Sequence, residues 1–172
     1  MLSIVVKRFG ALVLAAATLG WTGTAVAAKA NPEAAVVAKL YKDFAWQAMA
    51  GQPDLFGEDV SHLDKRALEQ YFTPALADLL LQNAACEVKY QGICNLDFDL
   101  LFASQDPRVT DLEITAVAPG KVAVVFTDPV DENKTQIDFK VKRIGGASKI
   151  TDIIYRQPDQ SSLVKMLSQK IP

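Results

Sequence analysis

The sequence predicts an α+β fold in which several helices precede an antiparallel sheet. Apolar residues recur at helical spacing in the first half of the chain and alternate with polar residues after residue 107. The connections between the alternating segments are too short to hold crossover helices, which excludes parallel βαβ units and a Rossmann-type nucleotide site. We therefore expect N-terminal helices packed on one face of a curved antiparallel sheet, followed by a short C-terminal helix.

Three helices are predicted in the first half, each from the residues at its N-terminus. Asn31-Pro32 gives the first helix an N-cap and a first-turn proline, and Gly51 is expected to end it. A loop is expected over residues 52–61, after which Asp64 caps a short helix and Thr73-Pro74 begins a third. Apolar spacing assigns the following residues to the core: Val37, Leu40, Tyr41, Phe44, Ala48, Leu68, Tyr71, Phe72, Leu76, Leu79 and Leu80.

Four strands are predicted in the second half, at residues 112–116, 122–126, 134–144 and 149–155. The second of them is apolar on both faces, as a central strand would be. In the third, core residues Ile137, Phe139 and Val141 alternate with a polar face made of Gln136, Asp138, Lys140 and Lys142, and the basic part of that face extends to Lys134 and Arg143. Ser161 is expected to cap the C-terminal helix, which carries Leu163, Met166 and Leu167.

Residues 1–28 have the features of a signal peptide. The basic pair Lys7-Arg8 precedes an apolar stretch, and Ala25-Val26-Ala27 offers small residues where a signal peptidase cleaves. We expect cleavage after Ala27 or Ala28, and no lipid anchor because no cysteine follows the apolar stretch. The expected product is a periplasmic or secreted protein of one domain over residues 29–172. The alternative is an uncleaved membrane anchor, since no charge interrupts the stretch after the basic pair.

Charge and cysteine content narrow the class of partner. The chain has 18 Lys and Arg against 20 Asp and Glu, and removal of the two basic residues of the signal peptide lowers its net charge from −2 to −4. This balance argues against nucleic acid or an anionic membrane as partner.

We expect a disulfide between Cys86 and Cys94, because the compartment is oxidising and Gln91-Gly92 lets the chain reverse between them. The alternative is a metal site or redox pair, although His62 is the only histidine and the spacing is not C-x-x-C.

Four segments of the mature chain match a known family in order and spacing. They are residues 32–49, Tyr71-Phe72-Thr73-Pro74-Ala75-Leu76, the stretch from Leu96-Asp97-Phe98-Asp99 to Ala103-Ser104-Gln105-Asp106, and Ile150-Thr151-Asp152-Ile153 followed by Ser162-Leu163. On these segments the chain resembles the DUF3828 family of exported bacterial proteins, some of which are lipoproteins. The resemblance implies one NTF2-like (cystatin-like) cone of helices against a bent sheet over residues 29–172, and it implies no common activity. The chain departs from the family in lacking a lipid-bearing cysteine and in having Ser148 where the last strand often has a tryptophan.

An acidic group in the middle of the chain supplies the first candidate site residues. Asp97, Asp99 and Asp106 lie close together in sequence, without the glycine or the spacing of a calcium loop. We expect these carboxylates to accept backbone N–H bonds and fix the shape of a long connection; binding of a ligand is the alternative. In an extended segment Asp97 and Asp99 share one face and leave Phe98 to pack.

Asp152 is the second candidate. Strand alternation places it on the same buried face as Ile150 and Ile154, with Tyr155 on the opposite face unless a bulge intervenes. A buried carboxylate is either hydrogen-bonded or has a raised pKa, and NTF2-like enzymes use such groups as general bases in the mouth of the cone.

These observations predict a non-catalytic exported protein that binds a protein or envelope component, with immunity to a delivered toxin as one concrete form. No cofactor or metal ligand set is recognised in the sequence. The alternative is a small-molecule pocket or an enzyme of isomerase, dehydratase or hydrolase type using Asp152. An apolar cavity with Asp152 at its wall favours the pocket, whereas a cone filled by side chains favours the binding protein.

Overall fold

The computed structural model describes residues 31–45, 59–156 and 160–170. In chain order the elements of these ranges are α1 (Pro32–Phe44), a 3₁₀-helix (Val60–His62), α2 (Lys65–Leu68), α3 (Pro74–Tyr90), β1 (Thr110–Ala118), β2 (Lys121–Thr127), β3 (Lys134–Ile144), β4 (Ala147–Tyr155), β5 (Ser161–Ser162) and α4 (Leu163–Leu167). The strands form one sheet in the order β1-β2-β3-β4-β5, with every neighbouring pair antiparallel. The predicted α+β class with an antiparallel sheet is confirmed.

Several sequence predictions concern residues outside the described ranges. These are the signal peptide over residues 1–28, the core position Ala48 and most of the loop over residues 52–61. α1 ends at Phe44 with Ala45 as its C-cap, whereas the sequence placed the end at Gly51, which is also outside the described ranges. No helix of the described residues is long and apolar enough to cross a membrane.

The predicted helix starts are confirmed by the bonds of their capping side chains. The Asn31 side chain accepts bonds from the first-turn amides of α1, at 2.8 Å from Glu33. Asp64 accepts a bond from Ala67 at 2.8 Å to begin α2, and the Thr73 hydroxyl caps α3. Each cap satisfies a backbone donor that the helix itself leaves unpaired and contributes about 1 kcal/mol.

The C-terminal end of α3 is held by the predicted disulfide. Cys86 and Cys94 are bonded, with their Cα atoms 6.2 Å apart. The chain reverses at Gln91, which adopts a left-handed conformation with φ of 50° and whose amide bonds back to the carbonyl of Glu87. The reversal therefore lies at Gln91-Gly92 as predicted, with Gln91 and not Gly92 in the left-handed conformation.

The hydrophobic core lies between the helices and one face of the sheet. The register pairs Val122 with Phe139 and Val124 with Ile137, so that the apolar residues of β2 and β3 share this face. Tyr41 of α1 makes an edge-to-face contact with Phe139, at 5.8 Å between ring centroids, and its hydroxyl donates to a backbone carbonyl. The largest fully buried side chains are Tyr155, Phe72, Phe102, Phe139, Leu40, Leu68, Leu76, Leu80, Leu100, Leu101, Ile137 and Ile150.

A β-bulge in β4 changes which residues face the core. Lys140 pairs with Asp152 but the next residue of β3 pairs with Ile150, which leaves Thr151 unpaired. A bulge residue reverses the alternation on its strand. Ile150 and Tyr155 therefore lie on the core face, whereas Asp152 lies on the outer face. The prediction that Asp152 shares a face with Ile150 is wrong for this reason.

The edge of β4 that does not pair with β3 is covered by two short segments. The amide of Ile150 donates to the carbonyl of Tyr71 at 2.8 Å, and Thr73 donates back to Ile150 at 2.9 Å. Farther along, β5 pairs with β4. α4 begins directly after β5, and its N-cap is Ser162 rather than the predicted Ser161, because the Ser162 hydroxyl accepts the bond from the amide of Lys165.

Candidate functional site

An open groove of about 1010 Å³ lies between the 3₁₀-helix, the end of α3 and the connection from α3 to β1. The three predicted carboxylates Asp97, Asp99 and Asp106 all line it, although they come from different parts of that connection. The remaining lining residues are Asp59, Ser61, His62, Glu87, Gly92, Ile93, Leu96, Phe98, Gln105, Pro107 and Arg108. Five carboxylates and one arginine among these residues make the groove electrostatically negative.

Asp99 is a partly buried carboxylate of the groove. One of its oxygens accepts bonds from the amides of Leu101 at 2.7 Å and Phe102 at 3.1 Å, which fixes a turn in the middle of this connection. Burial raises the pKa of Asp99 to about 6, and the nearby charge of Asp59 adds to the increase, while the two amide bonds oppose it. No cation forms an ion pair with Asp99 among the described residues.

Asp99 accepts the backbone bonds that the sequence predicted for the acidic group, whereas the expected extended alternation is absent, since the chain bends at Phe98 and Asp97, Phe98 and Asp99 all line the groove. Phe98 packs edge-to-face on Tyr155 with 5.0 Å between ring centroids, so that it holds the connection against the core. Asp97 and Asp106 are exposed at the groove, and neither side chain bonds to another described residue. Their charges are therefore available to a ligand of the groove.

A second feature of the groove, which sequence reasoning missed, is a hydrogen-bonded pair of His62 and Glu87. Nε2 of His62 lies 2.9 Å from a carboxylate oxygen of Glu87. The other oxygen accepts a bond from the buried side chain of Asn83 at 2.7 Å, and Asn83 accepts one from the amide of Asn95 at 2.8 Å. The sequence gives no signal of this pairing, since 25 positions separate His62 from Glu87.

Asp152 does not line the groove. One of its oxygens accepts bonds from the amides of Ile153 at 3.0 Å and Val164 at 3.1 Å, and the other accepts one from Lys140 at 3.1 Å. The hydroxyl of Ser162 donates to the same carboxylate at 2.9 Å. This bonding ties the first turn of α4 to β4, which is a structural arrangement.

Asp138 is a buried carboxylate that strand alternation assigned to a solvated face. It is 2% exposed and lies on the outer face of the sheet, beneath Lys121 and Arg156. Burial raises its pKa, but bonds from Gln136, Lys121 and Arg156 outweigh burial and hold the pKa below its ordinary value. The side chains of these partners cover the carboxylate, which alternation alone does not indicate.

The described residues hold no group of three His, Cys, Asp or Glu side chains placed to bind a metal ion. Comparison with protein-family models, with curated proteins and with solved structures finds no match for this chain.

Proposed function

We propose that the chain is an exported, non-catalytic protein of the DUF3828 type, with an NTF2-like cone, that binds a protein or envelope component. Helices packed on one face of an antiparallel sheet are compatible with that cone. Export and periplasmic or secreted location rest on the sequence of residues 1–28.

The observation that carries this proposal is the filled interior. Phe72, Phe102, Phe139 and Tyr155 are each at most 2% exposed and occupy the space between the helices and the core face of the sheet. An NTF2-like enzyme needs an enclosed pocket at this place for its substrate. Asp152, the residue considered as a general base, faces away from this space and is bonded to four neighbours.

The proposal is tested by capture of a partner under native conditions. We expect the exported protein, cross-linked in the intact envelope, to retain one protein in a saturable manner, and excess free protein to compete with it. Recovery of no specific partner, together with turnover of a small molecule by the purified protein, would contradict the proposal.

Export is tested separately from binding. We expect the protein recovered from outside the cytoplasm to begin at Ala28 or Lys29 and to carry no lipid, which N-terminal sequencing and intact mass measure. A retained Met1 contradicts the signal peptide without bearing on the binding function.

A second candidate function, acid–base catalysis of hydrolase type, is favoured by a specific feature of the groove. Asp99 lines the same groove as the hydrogen-bonded His62–Glu87 pair, and a carboxyl whose pKa is raised, here to about 6, is common in active sites. The test is hydrolysis of a panel of esters and glycosides. If the chain is such an enzyme, His62→Gln abolishes turnover and leaves the melting temperature within about 1 °C. Equal residual turnover in this variant and the parent assigns the activity to a contaminant.

A further inference from the structure

The last turn of α3 and the residues after it form an exposed apolar projection, which we call the tip (Val88–Ile93). Cys86 is the last buried residue of α3, and each of the six residues of the tip is exposed. Three of them are large and apolar: Val88 is 80% exposed, Ile93 71% and Tyr90 51%. The tip therefore extends beyond the hydrophobic core.

The apolar content of the tip is unusual for a solvent-exposed segment. Only six large apolar residues of the described ranges are exposed, and half of them lie in this stretch. Single exposed apolar side chains are ordinary, but a concentration of them marks an interaction surface. The disulfide joining Cys86 to Cys94 and the left-handed Gln91 hold the tip in one conformation. A pre-formed surface binds with a smaller loss of conformational entropy.

The tip is continuous with the negative groove. Gly92 and Ile93 belong to the lining of the groove, together with the exposed carboxylates Asp97 and Asp106. An apolar contact surface thus lies beside two exposed negative charges that pair with no cation of the described residues. A partner that contributes both an apolar side chain and cationic groups satisfies the two features together.

We infer that the tip and the groove form a docking surface for a protein partner whose contact segment carries apolar side chains flanked by Lys or Arg. The inference rests on the proposed binding function and specifies its surface and the chemistry of its partner. The partner's apolar side chain packs on Ile93 and Val88, and its cations lie over Asp97 and Asp106. The exposed carboxylates Asp97 and Asp106 disfavour anionic lipid and acidic protein segments.

The test uses purified exported protein and a synthetic peptide of alternating leucine and arginine. We expect saturable binding by fluorescence anisotropy, weakened by added salt. Both the tip variant Val88→Ser/Ile93→Ser and the groove variant Asp97→Asn/Asp106→Asn should lower the affinity about tenfold. These side chains are exposed, so that the variants keep the fold, which the melting temperature verifies.

Matched variants elsewhere on the surface control for composition and net charge. Val130→Ser removes an apolar side chain that is 67% exposed, and Asp111→Asn/Glu113→Gln removes two exposed charges of β1. Both should bind the peptide within about twofold of the parent. A peptide with glutamate in place of arginine should bind at least tenfold more weakly than the arginine peptide.

Four results would overturn the inference. Equal binding of the two peptides would remove the charge argument, and equal losses in the control variants would show that binding is not localised. A dimer in sedimentation velocity that the tip variant dissociates would assign the surface to a second copy of the chain. If the native partner is captured equally well by parent and variants, this surface is wrong while the proposed binding function stands.

Discussion

The groove and the outer face of the sheet each hold a carboxylate that is shielded from solvent, Asp99 partly and Asp138 almost completely, but only Asp138 is paired with cations. Asp138 lies under Lys121 and Arg156, and these cations hold its pKa below the ordinary value although burial raises it. Asp99 is bonded only to backbone amides, and burial raises its pKa to about 6. Asp138 is thus neutralised by cations on the outer face of the sheet, whereas Asp99 in the groove has no cation partner among the described residues.

The carboxylates of the outer face are paired within the fold, whereas those of the groove are accessible to a ligand. On the outer face, Asp138 and Asp152 are each bonded to lysine or arginine, so that their charges are satisfied within the fold. In the groove, Asp97 and Asp106 are exposed beside Asp99, and the lining supplies a single arginine, Arg108. Uncompensated charge of one sign attracts a ligand of the opposite sign. The groove, and not the outer face, is therefore the surface to test for binding.

The largest effect is expected from removal of the cations that neutralise Asp138. Lys121→Met/Arg156→Met leaves the buried Asp138 carboxylate without a cation, and an uncompensated buried charge costs about 3 to 4 kcal/mol of unfolding free energy. Urea denaturation measures the loss, and Lys142→Met/Arg143→Met, which removes two exposed cations of β3, serves as control. A loss below about 1 kcal/mol would show that the outer-face network does not stabilise the sheet.

Asp99 should lower the free energy of unfolding by about 3 kcal/mol as the pH rises, which is the opposite direction to the effect of Asp138. Its folded-state pKa of about 6 lies above the ordinary 3.8, so the folded protein binds the proton more tightly than the unfolded chain. The resulting stabilisation is fully present below pH 4 and is lost as the pH rises through 6. Asp138, with its lowered pKa, stabilises the fold above pH 4 and loses this contribution in acid.

The two carboxylates can be separated by their pH profiles. Unfolding free energies measured between pH 4 and 7 should fall with increasing pH in the parent and lose that slope in Asp99→Asn. Asp138→Asn should retain the slope, because Asp99 is intact. An unchanged slope in Asp99→Asn would show that its carboxyl is ionised throughout this range.

The disulfide should contribute about 2 kcal/mol by restricting the unfolded chain. Cys86 and Cys94 are eight positions apart, and closing so short a loop has a small entropic effect. We expect Cys86→Ala/Cys94→Ala to keep the sheet intact by circular dichroism while loosening the tip. Hydrogen exchange at residues 88–93 measures that loosening, and unchanged protection there would show that the backbone alone holds the tip.

Helix starts and strand alternation could be predicted because they depend on neighbouring residues. Asn31, Asp64 and Thr73 bond to amides within the next three residues, and the core residues of β3 follow a period of two. The disulfide was predictable because Gln91-Gly92 offers a reversal within the closed loop. Local chemistry therefore accounts for the predicted elements of the described chain.

The groove could not be predicted, because its residues meet only after folding. His62 and Glu87 come from the 3₁₀-helix and α3, and no spacing pattern connects them. The burial of Asp138 was missed because it depends on Lys121 and Arg156 of two other segments. The position of Asp152 was missed because one unpaired residue, Thr151, reverses the alternation that was used to place it.

The smallest expected effect concerns Asp152, at about 1 kcal/mol for Asp152→Asn and about 2 kcal/mol for Asp152→Ala. Asparagine keeps one oxygen for the amides of Ile153 and Val164, whereas alanine leaves both of them and the Ser162 hydroxyl without an acceptor. The effect is smaller than at Asp138 because the cation that pairs with Asp152, Lys140, is largely exposed.

Thermal melts of the two Asp152 variants, with Lys140→Met as a matched control for the ion pair, measure this difference. Lys140→Met should cost less than either Asp152 variant, since the backbone amides and Ser162 still bond to the carboxylate. A wild-type-like melting temperature in both Asp152 variants would contradict a structural role. Asp152 would then be a carboxylate that the fold does not require. The paired carboxylates of the outer face could then not be called structural, and their contrast with the unpaired carboxylates of the groove would no longer identify the groove as the binding surface.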